Sequence, residues 1–316
     1  MTEVIVLMAT FQGEKHLREQ LDSILKQTRI PDRILARDDG SYDETRNILM
    51  EYASARPGLF EVMHGENKGF VGNFLTLVEA VPADAKYIFF CDQDDVWVPE
   101  KIQRGIEQLS AIEPAMPTLL FTRVVVTGPT LLPSGLSPLH SRLDFGHALA
   151  ENAVTGCSMC ANSALISKLK DNMPDSRWVV AHDWWLYLMA TGFGSVLFDP
   201  VPSLFYRQHG GNVEGATVGR MKTLVGRVQG TWTGKWARKR PWNMLSHFHS
   251  LYADLLPKKN RLLLEDFALF ARGRCVAMAL VVWGRVWRPS LFNRVVLLVV
   301  ILFRKSPAFG PRKEVS

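Results

Sequence analysis

The chain has little of several things, and each shortage excludes a class of protein. Four cysteines in 316 residues are too few to staple a small secreted scaffold. No basic region precedes the apolar stretch Val4–Met8, so no cleavable leader is expected. The longest apolar runs, Val295–Phe303 and Cys275–Trp283, are nine residues each. A spanning helix needs about 20, so neither is expected to cross a bilayer. No Gly-x-Gly-x-x-Gly follows the first apolar stretch, which runs on as Ala9-Thr10-Phe11-Gln12-Gly13, and no Walker-type loop occurs. Any phosphate would therefore be neutralised by something other than a glycine cradle.

Acidic residues are also scarce, but only in the last third. Residues 1–219 carry 18 Lys and Arg against 27 Asp and Glu, a net −9, whereas residues 220–316 carry 19 against 4, a net +15. An acidic body and a strongly basic tail suggest two parts, the second with an anionic partner. The tail mixes its cations with Trp232, Trp236, Trp242, Trp283 and Trp287. Short apolar faces with basic residues and aromatics fit helices lying in the headgroup plane of an anionic membrane. No nucleic-acid-binding module is recognisable, and none is expected. An apolar content of 47% is enough to fill a sizeable core.

The body alternates strand and helix. Val4–Met8 has the unbroken apolar character of a strand buried on both faces. Leu17, Leu21, Ile24 and Leu25 share one helix face, and that helix closes before Pro31. Further strands are expected at Ile34–Arg37, Phe60–Met63, Tyr87–Cys91 and Leu119–Val126. Helices are expected from Asp43 to about Ala55, with acids on the first turn, and over Gly72–Val81 and Pro99–Leu109. Such alternation predicts an α/β fold with a mostly parallel sheet, which binds ligands at the carboxyl ends of its strands.

Carboxylates stand at those ends. Cys91-Asp92-Gln93-Asp94-Asp95 directly follows the apolar Tyr87–Phe90. Three carboxylates within four residues are tolerable in water or around a cation, and hard oxygen ligands select Mg2+ or Mn2+. A solvated turn before the next helix is the plainer reading. Asp38-Asp39-Gly40-Ser41 is a second acidic turn, where a carboxylate could accept a hydrogen bond from a nucleobase imide. Asn67-Lys68-Gly69, with Asn73 further on, closes the third strand.

Taken together, Ala9-Thr10-Phe11, Gln20–Thr28, Asp38–Thr45, Asn67-x-Gly69 and Asp92-x-Asp94 resemble a family 2 glycosyltransferase over roughly residues 1–220. Asp92–Trp97, Thr155-Gly156-Cys157, His182-Asp183-Trp184-Trp185 and Tyr206–Asn212 are similar to a bacterial rhamnosyltransferase-type branch. The resemblance implies a GT-A fold over 1–219, with a nucleotide-binding half at 1–110 and an acceptor half at 111–219, followed by a basic, Trp-rich helical membrane-association region at 220–316. It implies an inverting mechanism and a nucleoside-diphosphate sugar donor, dTDP-rhamnose being favoured over a UDP-hexose. Ala9, Thr10 and Phe11 would lie against the nucleoside, and Asp39 would meet the base. Asn67, Gly69 and Gln93 would complete the donor site. Asp92 would contact ribose or the metal, and Asp94 would bind the divalent ion. Arg207 and His209 would face the diphosphate.

The same resemblance makes Asp183 the base that takes the acceptor hydroxyl's proton, in the first turn of a helix. Gly156, Cys157, His182 and Trp184 would lie on the acceptor side, and His182 could orient Asp183, share its proton or meet the diphosphate. Cys157 and Cys160 read as buried thiols, since no second pair completes a zinc site. Arg207-Gln208-His209 departs from the Gln-x-x-Arg-Trp of processive synthases, which points to one sugar per encounter. A polyprenyl-diphosphate-linked saccharide is the expected acceptor, with the protein cytoplasmic and peripheral on the inner face of the cell membrane. Nucleotidyl transfer, which would want a basic glycine-rich first loop, and a non-catalytic membrane scaffold are the competing readings.

Overall fold

The strand order of the main sheet determines where the functional loops meet. In the computed structural model, which describes residues 3–209 and 241–303, seven strands run in the order β10-β6-β9-β4-β1-β2-β3. The central β1 (Val4–Thr10) pairs in parallel with β2 (Arg33–Asp38) on one side and β4 (Tyr87–Cys91) on the other. Helices α1 (Leu17–Leu25), α2 (Thr45–Ala55) and α3 (Gly69–Glu79) make the crossovers around β3 (Phe60–His64). After β3 the chain returns past β2 to lay β4 beside β1. The connections after β1 and β4 therefore diverge, and a crevice opens between their carboxyl ends.

The expected elements of this half are present, with shifted ends. Helix α2 starts at Thr45 rather than Asp43, because the Asp43 carboxylate accepts the Thr45 N–H (3.0 Å) and so stands outside the helix. The single strand expected over Leu119–Val126 is two. β6 (Thr118–Thr122) lies in the main sheet, whereas β7 (Val125–Thr127) belongs to a second sheet ordered β5-β11-β7-β8. The chain changes sheets at Arg123, whose N–H bonds the Asp199 carbonyl and whose Nε bonds the Ser137 carbonyl. An apolar run is the same string of residues whether it serves one sheet or two.

The second sheet also contains β5 (Val96–Trp97), β8 (Pro133–Leu136) and β11 (Leu204–Arg207). Because β5 pairs antiparallel with β11, the acidic loop between β4 and β5 is anchored in both sheets. Antiparallel β9 (Met159–Asn162) separates β4 from β6, so its first residues reach the crevice end of the sheet. Helices α4 (Lys101–Ser110), α5 (Phe145–Ala150), α6 (Ser163–Asp171) and α7 (His182–Phe193) and strand β10 (Ser195–Asp199) complete the body.

The described part of the basic tail is helical: α8 (Pro241–Tyr252), α9 (Lys258–Ala268), α10 (Arg274–Val282) and α11 (Leu291–Phe303). No helix among the described residues is long and apolar enough to cross a membrane. Gly210, Gly211, Asn212, Trp232, Trp236, Arg304, Lys305 and the expected boundary near 219 lie outside the described residues. The tail helices are not set apart. Met244, Leu245, Phe248 and Tyr252 of α8 share one buried cluster with Phe145, Trp185 and Tyr187 of the body. The Tyr252 hydroxyl donates to the Asn172 carbonyl (2.6 Å), and Trp287 Nε1 donates to Asp144 (3.0 Å). Of the tail tryptophans expected at a membrane interface, Trp283 is 77% exposed. Trp287 is buried and Trp242 packs against Phe267 at 4.9 Å.

Gly146 shows how closely tail and body meet. A Cβ there would stand 1.8 Å from the Arg285 carbonyl oxygen. Gly146→Ala is expected to cost at least about 1–3 kcal/mol by overpacking, lowering the urea midpoint without changing the slope.

Candidate active site

A cleft of about 580 Å³ opens at the crevice end of the main sheet. Ala9, Thr10, Phe11, Asp39, Asn67, Gly69, Asp92, Gln93, Asp94, Gly156, His182 and Asp183 all line it. Each of three parallel strands delivers its own part: the Thr10-Phe11 end of β1, the Asp39 turn after β2 and the acidic loop after β4. Asp183 enters from α7, where its Oδ1 accepts the Trp184 N–H (2.7 Å). It stands in the first turn behind Ala181 and is not the helix cap.

The loops are tied to one another before any ligand arrives. Gln93 Oε1 accepts the Phe11 N–H and Gln93 Nε2 donates to the Phe11 carbonyl, both at 2.8 Å. Gly13 leaves room for this clamp, since a Cβ there would stand 2.4 Å from Gln93 Oε1. Gln93 therefore joins the β1 and β4 loops through its amide. Asp39, 2% exposed, accepts from Arg37 (2.6 Å), the Lys68 N–H (2.8 Å) and the Gly69 N–H (2.8 Å). Asn73 accepts from the same guanidinium (3.0 Å). The sequence alone does not single out Arg37 as a positioning residue, although its i,i+2 relation to Asp39 at a strand end puts both on one face.

Four expected site residues do not line the cleft. The Arg207 guanidinium is buried behind the acidic loop, where it donates to the Asp94 carbonyl (2.8 Å) and the Pro129 carbonyl (2.6 Å) and pairs with Glu19. Its backbone N–H bonds Asp95 (3.1 Å). Arg207 thus braces the loop from behind. Trp184 is a core residue whose Nε1 donates to the Ala148 carbonyl (2.7 Å). Cys157 is buried in the second core cluster, and burial pushes its thiol up. His209 stands just outside the cleft wall, with Nε2 2.7 Å from Asp94 Oδ2.

The donor atoms divide unexpectedly. Asp92 groups with Asp95 and Cys157, whose ligand atoms all lie within 4.8 Å of one another, while Asp94 faces His209. Burial, then the neighbouring Asp95 and Asp94 carboxylates, hold the Asp92 carboxyl well above the usual range. Burial and then Asp94 push Asp95 up to about 7. Lys101, wholly internal, donates to the Cys157 carbonyl and lies 3.9 Å over the Trp97 ring, and burial lowers it to about 8. That cation beside Asp95 and Cys157 competes with a metal for the inner group.

His182 stacks on Phe74 with ring centres 3.9 Å apart, and neither ring nitrogen has a hydrogen-bond partner among the described residues. Burial lowers its pKa to about 3, so the ring is neutral and neither orients Asp183 nor contributes charge. Unfolded, the ring titrates at its ordinary 6.5 and binds the proton more readily than the folded form. Its stabilising contribution is therefore complete above pH 6.5 and is lost as pH falls toward 3. Relative to His182→Phe, which keeps the stacking, the wild type is expected to lose on the order of 2 kcal/mol more between pH 7 and 4.5. Urea unfolding at the two pH values measures this. The other depressed imidazoles, His16, His140, His247 and His147 at about 4, give both proteins the same residual slope.

Comparison with known proteins agrees with this architecture. The family model for glycosyl transferase family 2 matches residues 5–146. The dTDP-rhamnosyl transferase RfbG of Shigella flexneri is 31% identical over 240 residues, covering 73% of this chain and 81% of the relative. A UDP-Glc:alpha-D-GlcNAc-diphosphoundecaprenol beta-1,3-glucosyltransferase, WfgD of Escherichia coli, is 29% identical over 106 residues, 34% of this chain and 40% of the relative. Staphylococcus aureus TarS 1-349 in complex with UDP-GlcNAc superimposes with a TM-score of 0.59 at 14% identity, covering 95% of this chain and 79% of that one. GalNAc-T7 with UDP, GalNAc and Mn2+ gives 0.53 at 16% identity, over 83% of this chain and 55% of that one. The fold is GT-A, and the chain belongs to glycosyl transferase family 2.

Proposed function

We propose that this glycosyltransferase moves a sugar with inversion from a nucleoside-diphosphate donor to a lipid-linked saccharide, and that the donor is dTDP-rhamnose. The observation that carries the reading is that Asp39 after β2, Asp92 and Asp94 after β4, and Asp183 on α7 line one cleft. The donor assignment is supported by the 31% identity to a dTDP-rhamnosyl transferase over most of both chains. Thr10, Phe11 and Asp39 would hold the nucleoside, with Arg37 and the Lys68 and Gly69 amides fixing the Asp39 carboxylate toward the base.

Asp94 and His209 are the pair suited to a divalent ion. A carboxylate oxygen and an imidazole nitrogen 2.7 Å apart form a donor set that a cation can enter in place of the shared proton. Mg2+ or Mn2+ bound there would offset the charge that builds on the departing nucleoside diphosphate. Asp183 acts on the other reactant. Its carboxylate accepts the proton of the acceptor hydroxyl as that oxygen bonds the anomeric carbon and the bond to the diphosphate breaks. Gly156 and neutral His182 wall this side without placing a cation that would lower the basicity of Asp183.

A membrane-bound acceptor is supported by the tail. Val282, Trp283, Phe292, Val295, Val299 and Phe303 are exposed on α10, its end and α11, in a region with few acids. Arg288 donates twice to the Ala150 carbonyl (3.0 and 2.7 Å), and the connection that follows carries the cleft residues Asn152 and Val154. The apolar face is thereby joined to the acceptor side. We take it to lie in the headgroup region of the inner leaflet. Deleting the tail is a poor test, because removing Met244, Leu245, Phe248 and Tyr252 from the core costs on the order of 10 kcal/mol, comparable to a domain's whole stability.

Two sets of substitutions test the reading. Asp183→Asn is expected to bind dTDP-rhamnose in a thermal-shift assay yet lose at least about 1000-fold in turnover, while Asp94→Ala loses the metal dependence of donor binding. Normal turnover by Asp183→Asn removes the proposed base, and a larger shift with UDP-hexoses reassigns the donor. Trp283→Ser with Phe292→Ser is expected to abolish flotation with anionic vesicles while retaining transfer to a short soluble acceptor.

A further inference from the structure

A second cavity, of about 440 Å³, lies where tail and body meet. It shares no lining residue with the catalytic cleft. It sits at the far end of α7, where Thr191 and Gly194 line it about 12–17 Å along the helix axis from Asp183. Arg142 lines it from the body, and Lys259 of α9 and Arg285 beyond α10 line it from the tail.

Its charge is unbalanced. The single acid on the wall, Asp144, caps α5 through the His147 N–H (2.8 Å), accepts from Trp287 and pairs with Arg142. Lys259 and Arg285 have no carboxylate within ion-pairing distance among the described residues. The described acids of the tail are engaged elsewhere: Asp254 and Glu265 face Arg261, and Asp266 pairs with Arg272. The other polar groups suit an acceptor-rich ligand. The Ser195 hydroxyl on the wall has no partner among the described residues, and Asn260 covers the Gly192 carbonyl (2.9 Å) that would otherwise face the site. The first turn of α9 has no side-chain cap, so its partial positive charge adds to that of Lys259.

Exposed apolar side chains flank the lining cations along the chain: Leu262, three residues from Lys259 on its helix, and Val282 and Trp283 just before Arg285. We propose that this cavity binds an anionic phosphate group, of the kind a phospholipid headgroup carries, with Lys259 and Arg285 on the phosphate and these exposed apolar side chains against the chains. The proposal rests on the reading that the tail meets a membrane, and it adds a discrete site to what would otherwise be a diffuse basic surface. A diffuse surface weighs neighbouring lysines equally, whereas a cavity does not.

Lys258 and Lys259 are adjacent, equally charged and both exposed, but only Lys259 lines the cavity. Flotation of the full chain is measured with phosphatidylglycerol-containing vesicles and with phosphatidylcholine alone. Lys259→Gln and Arg285→Gln are each expected to weaken binding to the anionic vesicles about fivefold or more, and Lys258→Gln less than about twofold. Inorganic phosphate separates the sources. A rise in melting temperature that is lost in Lys259→Gln/Arg285→Gln means that the free anion suffices. Discrimination between the lysines by vesicles alone means that the phosphate must be lipid-borne. Equal losses for Lys258→Gln and Lys259→Gln, or no preference for phosphatidylglycerol, overturn the site. Transfer to a soluble acceptor should be unchanged in all three variants, which keeps this test independent of the catalytic assignment, and the Trp283/Phe292 pair reports separately on membrane binding.

Discussion

Carboxylates crowded at the end of a sheet repel one another, and the rest of this molecule is arranged around holding them there. Two unit charges 4 Å apart interact by about 4 kcal/mol at the effective dielectric of a protein surface, and Asp92, Asp94 and Asp95 fall within four consecutive positions. The fold answers with cations placed behind the acids instead of among them. Arg37 stands under Asp39, Arg207 grips the backbone of Asp94, and Lys101 is buried beside Asp95 and Cys157. The cleft itself therefore keeps its negative face. On the proposed function, a divalent ion and a sugar diphosphate would enter such a site as a pair, each satisfying the other's charge.

Positioning depends on the topological switch between β1 and β4. Because the two loops leave their strands in opposite directions, they need a tie, and the Gln93 amide supplies it through both polar groups of Phe11. The second sheet provides the other tie, since β5 and β11 pair immediately beyond the acidic loop. An acidic loop anchored at both ends and braced from behind loses little further freedom when a ligand binds, which is the physical content of preorganisation.

The basic tail presents two different faces. One face completes the body's core: Phe248 lies 5.3 Å from Trp185 and Tyr252 bonds the Asn172 carbonyl. The other face leaves large apolar side chains such as Trp283 and Phe292 uncovered, and Lys259 and Arg285 meet no carboxylate among the described residues. A helix serving only as a core element would not need so much exposed apolar surface. The junction cavity falls between the two faces.

The sequence by itself determined the α/β alternation, the strand ends that carry acids, and the position of Asp183 in the first turn of its helix. These are local patterns: apolar runs, helix periodicity and residues adjacent in the chain. Only the tertiary structure decided that Leu119–Val126 splits between two sheets, that Arg207, Cys157 and Trp184 turn away from the cleft, that His182 is a neutral stacked ring, and that the tail shares the body's core. Each of these depends on which side of a strand or helix meets a partner far away in sequence. An arginine beside an acidic loop reads the same whether it points toward a diphosphate or braces the loop from behind, because direction is a property of packing, and packing is written in contacts that no short stretch of chain contains.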